Sequence, residues 1–346
     1  MGCVKLTVID AAGSPREMGR AHGEQGRALV QQSLAGWREA MAQSGHEPDQ
    51  LVQDLSNRSG FREAVVQQLP SMIDEMAGIA EGAGITEDEV FALNCLDEAW
   101  WWGEKAGGCS TVAIGAEGER PAFGGQTMDL DDWMDGTQIA LRTDPADGPR
   151  LVMLSRAGMV GLCGANESGV AVLVNTLSQL PVSTGGVPVA FVLRAALASR
   201  TVNGAAATLQ RLPHASGQAY TLVSANGVIG MECGAGLVEE YINDPELPQD
   251  RWHTNHPLTA AADGDTSESS QRRMDALDDR APTLSSTEEV QHLLADGESG
   301  VCMFPNRWPD SSVTFGAVTV SLSTSTTVEI APGPPDRAPW STVSFL

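Results

Sequence analysis

The hydrophobic period of this chain first changes at Cys109. Upstream, between residues 14 and 98, apolar side chains recur at helical spacing: Met18, Ala21, Leu29, Val30, Leu34, Trp37 and Met41, then Met72, Ile73, Met76 and Ile79. Downstream the spacing falls to about 2, the period of strands. A helix buries a stripe and a strand buries a face, so the two halves need different partners. The order predicts an α+β protein with helices first and stacked, helix-covered sheets after Cys109.

Local signals set the boundaries. Ser14-Pro15-Arg16-Glu17 reads as an N-cap, a proline in the first helical turn and an early acid. Leu69–Ala83 reads as a helix ended by Gly84, and Thr86-Glu87-Asp88-Glu89 caps the next. Strands are expected at Cys109–Ile114, Ala122–Met128, Gln138–Arg142, Leu151–Ser155, Val160–Gly164 and Val170–Asn175. Helices follow around Val187–Ser199 and Gly204–Leu212, then strands at Tyr220–Ser224, Gly227–Glu232 and Leu237–Tyr241. Helices near Gln271–Asp279 and Thr287–Leu294 precede strands at Val313–Ser321 and Thr327–Ala331.

The chain is 346 residues long and 42% hydrophobic, enough for two domains or one large layered one. Its net charge of -24 argues against nucleic acid and anionic membrane surfaces as partners. Cys3, Cys95, Cys109, Cys163, Cys233 and Cys302 form no C-x-x-C pair, and the six histidines lack zinc spacing. No metal or organic cofactor is expected. Leu6-Thr7-Val8-Ile9 is too short for a signal peptide, and no apolar stretch approaches a membrane span. A soluble, cytoplasmic protein is expected.

The residues around Cys109 point to chemistry. Gly107 and Gly108 leave a carbonyl open to attack, and a β-branched run follows the thiol. Cleavage there would expose a cysteine carrying a nucleophile and, in its α-amine, a base. Asp129 ends an apolar strand twenty residues on, where a hairpin returns it to the start of the Cys109 strand. A carboxylate so placed either holds an α-ammonium or orients the neutral amine. Asn175 ends Gly169–Asn175, and Asn255 sits in Trp252-His253-Thr254-Asn255-His256-Pro257. Asparagine amides donate to a developing oxyanion without adding charge.

Taken together, these segments resemble the peptidase C45 family, the acyl-coenzyme A:6-aminopenicillanate (isopenicillin N) acyltransferase-like branch of the N-terminal nucleophile (Ntn) hydrolases. Gly108-Cys109-Ser110-Thr111 is similar to the family's Gly-Cys-Thr-Thr cleavage site, and Gln126-Thr127-Met128-Asp129 to its Gln-Asn-Trp-Asp. Asn166-Glu167-Ser168-Gly169-Val170 with Asn175 resembles its Asn-x-x-Gly turn and strand, and His253-Thr254-Asn255-His256 its His-Thr-Asn-His. Glu17–Gly23 and Glu75–Gly84 resemble helices of its pro-region. Relatives often carry Cys-Arg where this chain has Cys302-Met303, and Met128 replaces an aromatic residue.

The resemblance implies a four-layer αββα sandwich, with 1–108 a helical pro-region that stays bound as a small subunit and 109–346 the catalytic part. It implies Cys109 as nucleophile, Asp129 orienting its amine, Asn255 donating to the oxyanion and Asn175 as a second polar wall. The expected function is cleavage or transfer of an acyl group from a small-molecule amide or thioester through an S-acyl-enzyme, after autocleavage at Gly108-Cys109. Two alternatives stand beside it: a tailoring enzyme that releases or cyclises a carrier-bound acyl chain, and a non-catalytic scaffold. Trp133, Trp252 and Trp308 are pocket candidates, Trp133 and Trp308 foremost. Trp100-Trp101-Trp102 either line the pocket or pack helix on sheet, and His253 and His256 read as scaffolding.

Overall fold

The computed structural model describes residues 6–99, 108–259, 266–304 and 312–346. In chain order the N-terminal region runs β1 (Thr7–Gly13), α1 (Pro15–Gln25), α2 (Arg27–Gln43), α3 (Pro48–Gln53), a π-helical turn, α4 (Phe61–Gln68), α5 (Pro70–Ala83) and α6 (Glu87–Asn94). Then come β2 (Cys109–Ile114), β3 (Ala122–Asp131), β4 (Gln138–Pro145), β5 (Leu151–Arg156), β6 (Gly164–Asn166) and β7 (Ala171–Thr176). Next are α7 (Val189–Leu197), α8 (Val202–Arg211), β8 (Gln218–Ser224), β9 (Gly227–Gly234), β10 (Leu237–Tyr241) and β11 (Arg251–His253). The last are α9 (Glu268–Arg280), α10 (Thr287–Leu294), β12 (Ser312–Leu322), β13 (Thr326–Ala331) and β14 (Ser341–Thr342).

Two sheets form, in the order β1-β4-β5-β6-β7-β8-β9-β10 and β11-β2-β3-β12-β13-β14. They face each other, with β2 and β3 against β7 and β8. Helices α7 and α8 cover the outer face of the first sheet, and α9 and α10 that of the second. This is the αββα sandwich. Central strands are therefore covered on both faces: every residue of β2, β3, β5 and β8 is buried. Gln126 ties the layers together, accepting from the Val174 amide at 2.7 Å and donating to the Val174 carbonyl at 3.1 Å.

The N-terminal region is not purely helical, as its sequence suggested. Thr7–Gly13 forms an edge strand parallel to β4, clamped by Arg142, which donates to both Asp10 carboxylate oxygens at 2.7 Å. Its short, mixed run hides a strand whose pairing is supplied from 132 residues away. The strand expected at Val160–Gly164 is also absent. Gly158 takes a φ of 93° there, and the chain turns before β6 begins at Gly164.

Helices α1 and α5 meet backbone to backbone. A Cβ on Gly19 would lie 1.8 Å from the Glu75 carbonyl oxygen, and one on Gly78 2.2 Å from that of Arg16. The paired glycines at four-residue spacing (Gly19 and Gly23, Gly78 and Gly82) are thus an approach surface. Ser14 and Thr86 close capping boxes with Glu17 and Glu89, and Gly84 ends α5 at a φ of 72°. Among the described residues no helix is long and apolar enough to cross a membrane.

Candidate active site

Strands β2 and β3 pair with Cys109 opposite Met128, so Asp129 falls one step beyond the start of β2. Its backbone N–H donates to the Gly108 carbonyl at 2.7 Å. Its side chain lies beside the same residue: a Cβ on Gly108 would be 3.0 Å from Asp129 Oδ2 and 3.1 Å from Met303 Sδ. Thr314 of β12 donates to Asp129 Oδ1 and accepts from the Met303 amide at 2.8 Å. Asp129 Oδ2 is buried without a hydrogen-bond partner among the described residues. Burial pushes this carboxyl up to about 7, against the opposing pull of Arg273 and Thr314.

Strand β11 pairs with β2, His253 opposite Thr111, so the following loop sweeps past Cys109. Asn255 Oδ1 accepts from the Cys109 N–H at 2.8 Å and from Arg273 Nη2 at 2.9 Å. Its Nδ2 donates to the Thr176 carbonyl at 3.0 Å. These three partners fix the amide's orientation: its oxygen, not its nitrogen, faces the nucleophile's backbone. The loop is tied from below. Ser270 Oγ accepts the Asn255 N–H at 2.8 Å and contacts His256 Nδ1 at 2.8 Å. Glu232 takes His253 Nε2 at 2.8 Å and the Leu258 and Thr259 amides at 2.6 and 3.0 Å. Those donors hold the Glu232 carboxyl below its usual range despite burial.

Asn175 reaches across from the other sheet. Its Nδ2 donates to the Cys109 carbonyl at 2.9 Å and to that of His253 at 3.2 Å. Cys109 itself is buried, and burial together with the Asp129 charge pushes its thiol well above the usual range. The thiol needs an acceptor for its proton before it can attack.

The structure thus brings Gly108, Cys109, Asp129, Asn175 and Asn255 into one place. It adds Arg273, which the motifs did not flag. Arg273 Nη1 donates to the Cys109 carbonyl at 2.6 Å and to Ser110 Oγ at 3.1 Å. The signal was there: Ser270, Arg273, Met274 and Leu277 form the buried stripe of α9, so an arginine stands in a core position. Thr314, in a strand of buried residues, carried no such signal.

A small cavity of about 20 Å³, room for about one water, lies beside Cys109. Leu96, Leu130, Leu162, Val174, Val189 and Leu193 give it an apolar wall, and Asp97, Thr176 and Gln218 a polar one. Trp133 lies elsewhere, on a separate cavity with Trp37 and Met41, its ring under the Arg156 guanidinium at 5.2 Å. Trp252 donates to Asp278 at 2.6 Å on the helix-facing side of β11. Trp100, Trp101, Trp102 and Trp308 lie outside the described residues. Among the described residues no group of three or more His, Cys, Asp or Glu is placed to hold a metal ion.

The sequence profile of the acyl-coenzyme A:6-aminopenicillanic acid acyl-transferase family matches residues 120–330. The chain belongs to that family. The matched span holds Asp129, Asn175, Asn255 and Arg273 and begins after Cys109. The chain is 26% identical over 256 residues to the acyl-coenzyme A:6-aminopenicillanic-acid-acyltransferase 40 kDa form of Emericella nidulans, covering 72% of this chain and 69% of that one. Among solved structures, a Caenorhabditis elegans N-acylethanolamine-hydrolyzing acid amidase ortholog aligns over 69% of this chain and 100% of its own, at 15% identity and a TM-score of 0.47. Penicillin V acylase from Agrobacterium tumefaciens aligns over 65% and 82%, at 13% identity and a TM-score of 0.35. Acyl-transfer chemistry goes with this family.

Proposed function

We propose that this chain is a self-processing enzyme that cuts itself before Cys109 and then uses Cys109 as an N-terminal nucleophile on small acyl amides or thioesters. One observation carries the reading: the Gly108–Cys109 peptide is gripped from both ends. Its carbonyl oxygen accepts from the Asp129 N–H at 2.7 Å, and its nitrogen donates to Asn255 Oδ1 at 2.8 Å. The first contact polarises the carbonyl, and the second holds the leaving nitrogen.

In cleavage no α-amine yet exists, so the thiol proton passes to the Asp129 carboxylate. Sγ bonds to the Gly108 carbonyl carbon, and the oxyanion forms against the Asp129 N–H. The carbon–nitrogen bond breaks, and the nitrogen takes the proton from Asp129. Water then splits the thioester, leaving a Gly108 carboxylate and a free thiol. The new α-amine has more hydrogens to donate than the amide had. Asp129 Oδ2, the orphan buried acceptor, stands ready for one. An unmade buried hydrogen bond costs about 1–3 kcal/mol, so cleavage relieves a cost present in the uncut chain.

In turnover the amine takes the thiol proton, and Sγ attacks the substrate carbonyl. The acyl group passes to water or to an acceptor amine. The N-terminal fragment stays bound, because it supplies β1 at a sheet edge and Leu96 and Asp97 in the cavity wall.

The test is intact mass and N-terminal sequencing of purified protein beside Cys109→Ala. The expected result is a chain beginning Cys-Ser-Thr-Val, absent from the variant. An uncut wild type that turns over an acyl amide, or an active Cys109→Ala, overturns the reading.

A further inference from the structure

We infer that Glu232 of β9 is a positioning residue for self-cleavage: its carboxylate clasps both ends of the loop that carries Asn255, and so sets where the acceptor for the Cys109 N–H stands. This rests on the self-cleavage reading above and adds a residue to it.

The loop leaves β11 at His253 and passes Cys109 at Asn255. Its near end is set by strand pairing, with His253 opposite Thr111 of β2. Its far end has a different anchor. Glu232 Oε1 accepts the Leu258 N–H at 2.6 Å, and Oε2 accepts the Thr259 N–H at 3.0 Å and Thr259 Oγ1 at 2.6 Å. The same carboxylate reaches the near end, where Oε1 lies 2.8 Å from His253 Nε2. Asn255 stands between the two grips.

Glu232 does not belong to the sheet it grips. Strand β9 is in the eight-stranded sheet and β11 in the six-stranded one, so the carboxylate fixes the loop against both layers. The side chains of Glu232 and His253 are both fully buried. An ionised carboxylate only accepts, and here it meets two amides and a hydroxyl that donate. Against the cost of burial, the bonds from His253, Thr259 and Leu258 hold this carboxyl below its ordinary range. Tyr241 packs edge-on against the His253 ring at 4.7 Å between centroids, which keeps the imidazole in place.

What the clasp positions is one atom, Asn255 Oδ1, at 2.8 Å from the Cys109 nitrogen. Ser270 of α9 holds the Asn255 N–H at 2.8 Å from another side. The loop is therefore slung between α9 and Glu232, and losing one support lets the amide drift. A misplacement of about 1 Å can cost roughly 100-fold in rate. Alanine at 232 leaves the Leu258 and Thr259 amides without their acceptor. Glutamine keeps one acceptor oxygen and turns an NH2 towards donors, so it keeps part of the clasp.

The experiment measures self-cleavage by denaturing gel for Glu232→Ala and Glu232→Gln, each with Asn255 intact and with Asn255→Ala. With Asn255 intact, Glu232→Ala is expected to slow cleavage by roughly 10-fold or more, with Glu232→Gln between it and wild type. With Asn255 already removed, the same change should cost less than about 3-fold, because the two residues act as one unit. No slowing with Asn255 intact, or equal factors in both backgrounds, overturns the inference. In processed protein kcat should fall while KM stays within about 3-fold, and a loss confined to KM overturns it too. A second measurement serves where a variant cleaves too slowly to time or is not cut. In the uncut Cys109→Ala chain, Glu232→Gln should speed hydrogen exchange of the amide at position 109 by roughly 10-fold and leave the Asp129 amide, which donates to Gly108, unchanged. Faster exchange at both amides alike, or at neither, shows a merely structural glutamate. A wild-type chain that is never cut fails the self-cleavage reading, and the exchange result still judges the positioning role.

Discussion

The backbone N–H of Cys109 donates to the side-chain oxygen of Asn255 across 2.8 Å of space and 146 residues of sequence. The contact turns Asn255 from a presumed oxyanion donor into an acceptor in the uncut chain. It restrains the nitrogen that leaves in self-cleavage and carries the base afterwards. Its Nδ2 keeps one hydrogen beyond the bond to Thr176.

Asn255→Ala removes the acceptor shared by Cys109 and Arg273. Self-cleavage, followed by denaturing gel after synthesis, is expected to slow by at least 10-fold, and kcat of any processed fraction to fall by roughly 100-fold. Asn255→Asp keeps the acceptor and is expected to cleave faster than Asn255→Ala. Equal cleavage in the two variants would remove the acceptor role.

Arg273 holds three groups at once: the Cys109 carbonyl, Ser110 Oγ and Asn255 Oδ1. It also pulls the Asp129 carboxyl down. Arg273→Met should therefore lower kcat/KM and move the pH dependence of self-cleavage towards higher pH. A purely structural arginine would cost stability and leave that midpoint in place. Matched pH–rate profiles decide between the two.

The backbone chemistry of the site was legible in the sequence, and its electrostatics were not. Gly108-Cys109 marks a strand start because the period changes there, and twenty residues is the length of a hairpin that returns Asp129. The pairing Cys109↔Met128 is that hairpin. Helix limits at Ser14, Gly84 and Thr86 follow from local capping, so they too could be read. Arg273 and Thr314 act through tertiary neighbours in other elements, and local pattern says only that a polar residue stands among apolar ones. Trp133 shows the opposite failure. Nearness to Asp129 in sequence suggested a pocket wall, yet the turn at Asp132–Met134 sends its ring towards Arg156.

His22 gives a stability prediction. It is buried in α1, where its Nε2 accepts the Gly158 N–H at 3.1 Å, and burial with the nearby Arg194 charge depresses it to about 4. The unfolded chain binds this proton near 6.5 and the folded chain does not. Its contribution is therefore complete above 6.5 and is lost as pH falls towards 4, by about 1.4 kcal/mol per unit. Urea unfolding of the uncut Cys109→Ala chain at pH 7.5 and 5 should show a larger drop than the same chain with His22→Gln. Identical drops would place the acid sensitivity elsewhere.

Asp129 carries the last prediction, and its sign is opposite. Its folded value of about 7 lies above the ordinary carboxylate range, so the uncut chain holds this proton more tightly than the unfolded chain. Its share of stability is present below about 4 and is lost as pH rises through about 7. The same ionisation makes the base that self-cleavage needs. Cleavage is therefore expected to accelerate with pH, half-rising near 7, while the precursor loosens over the same range. Asp129→Asn should stabilise the Cys109→Ala precursor at pH 8 relative to pH 4, and in the Cys109 chain it should abolish the pH-dependent rise in cleavage. Cleavage rates from quenched gel time courses and urea midpoints test the two halves separately. An Asp129→Asn chain that cleaves with an unchanged pH profile would show that the thiol proton goes elsewhere.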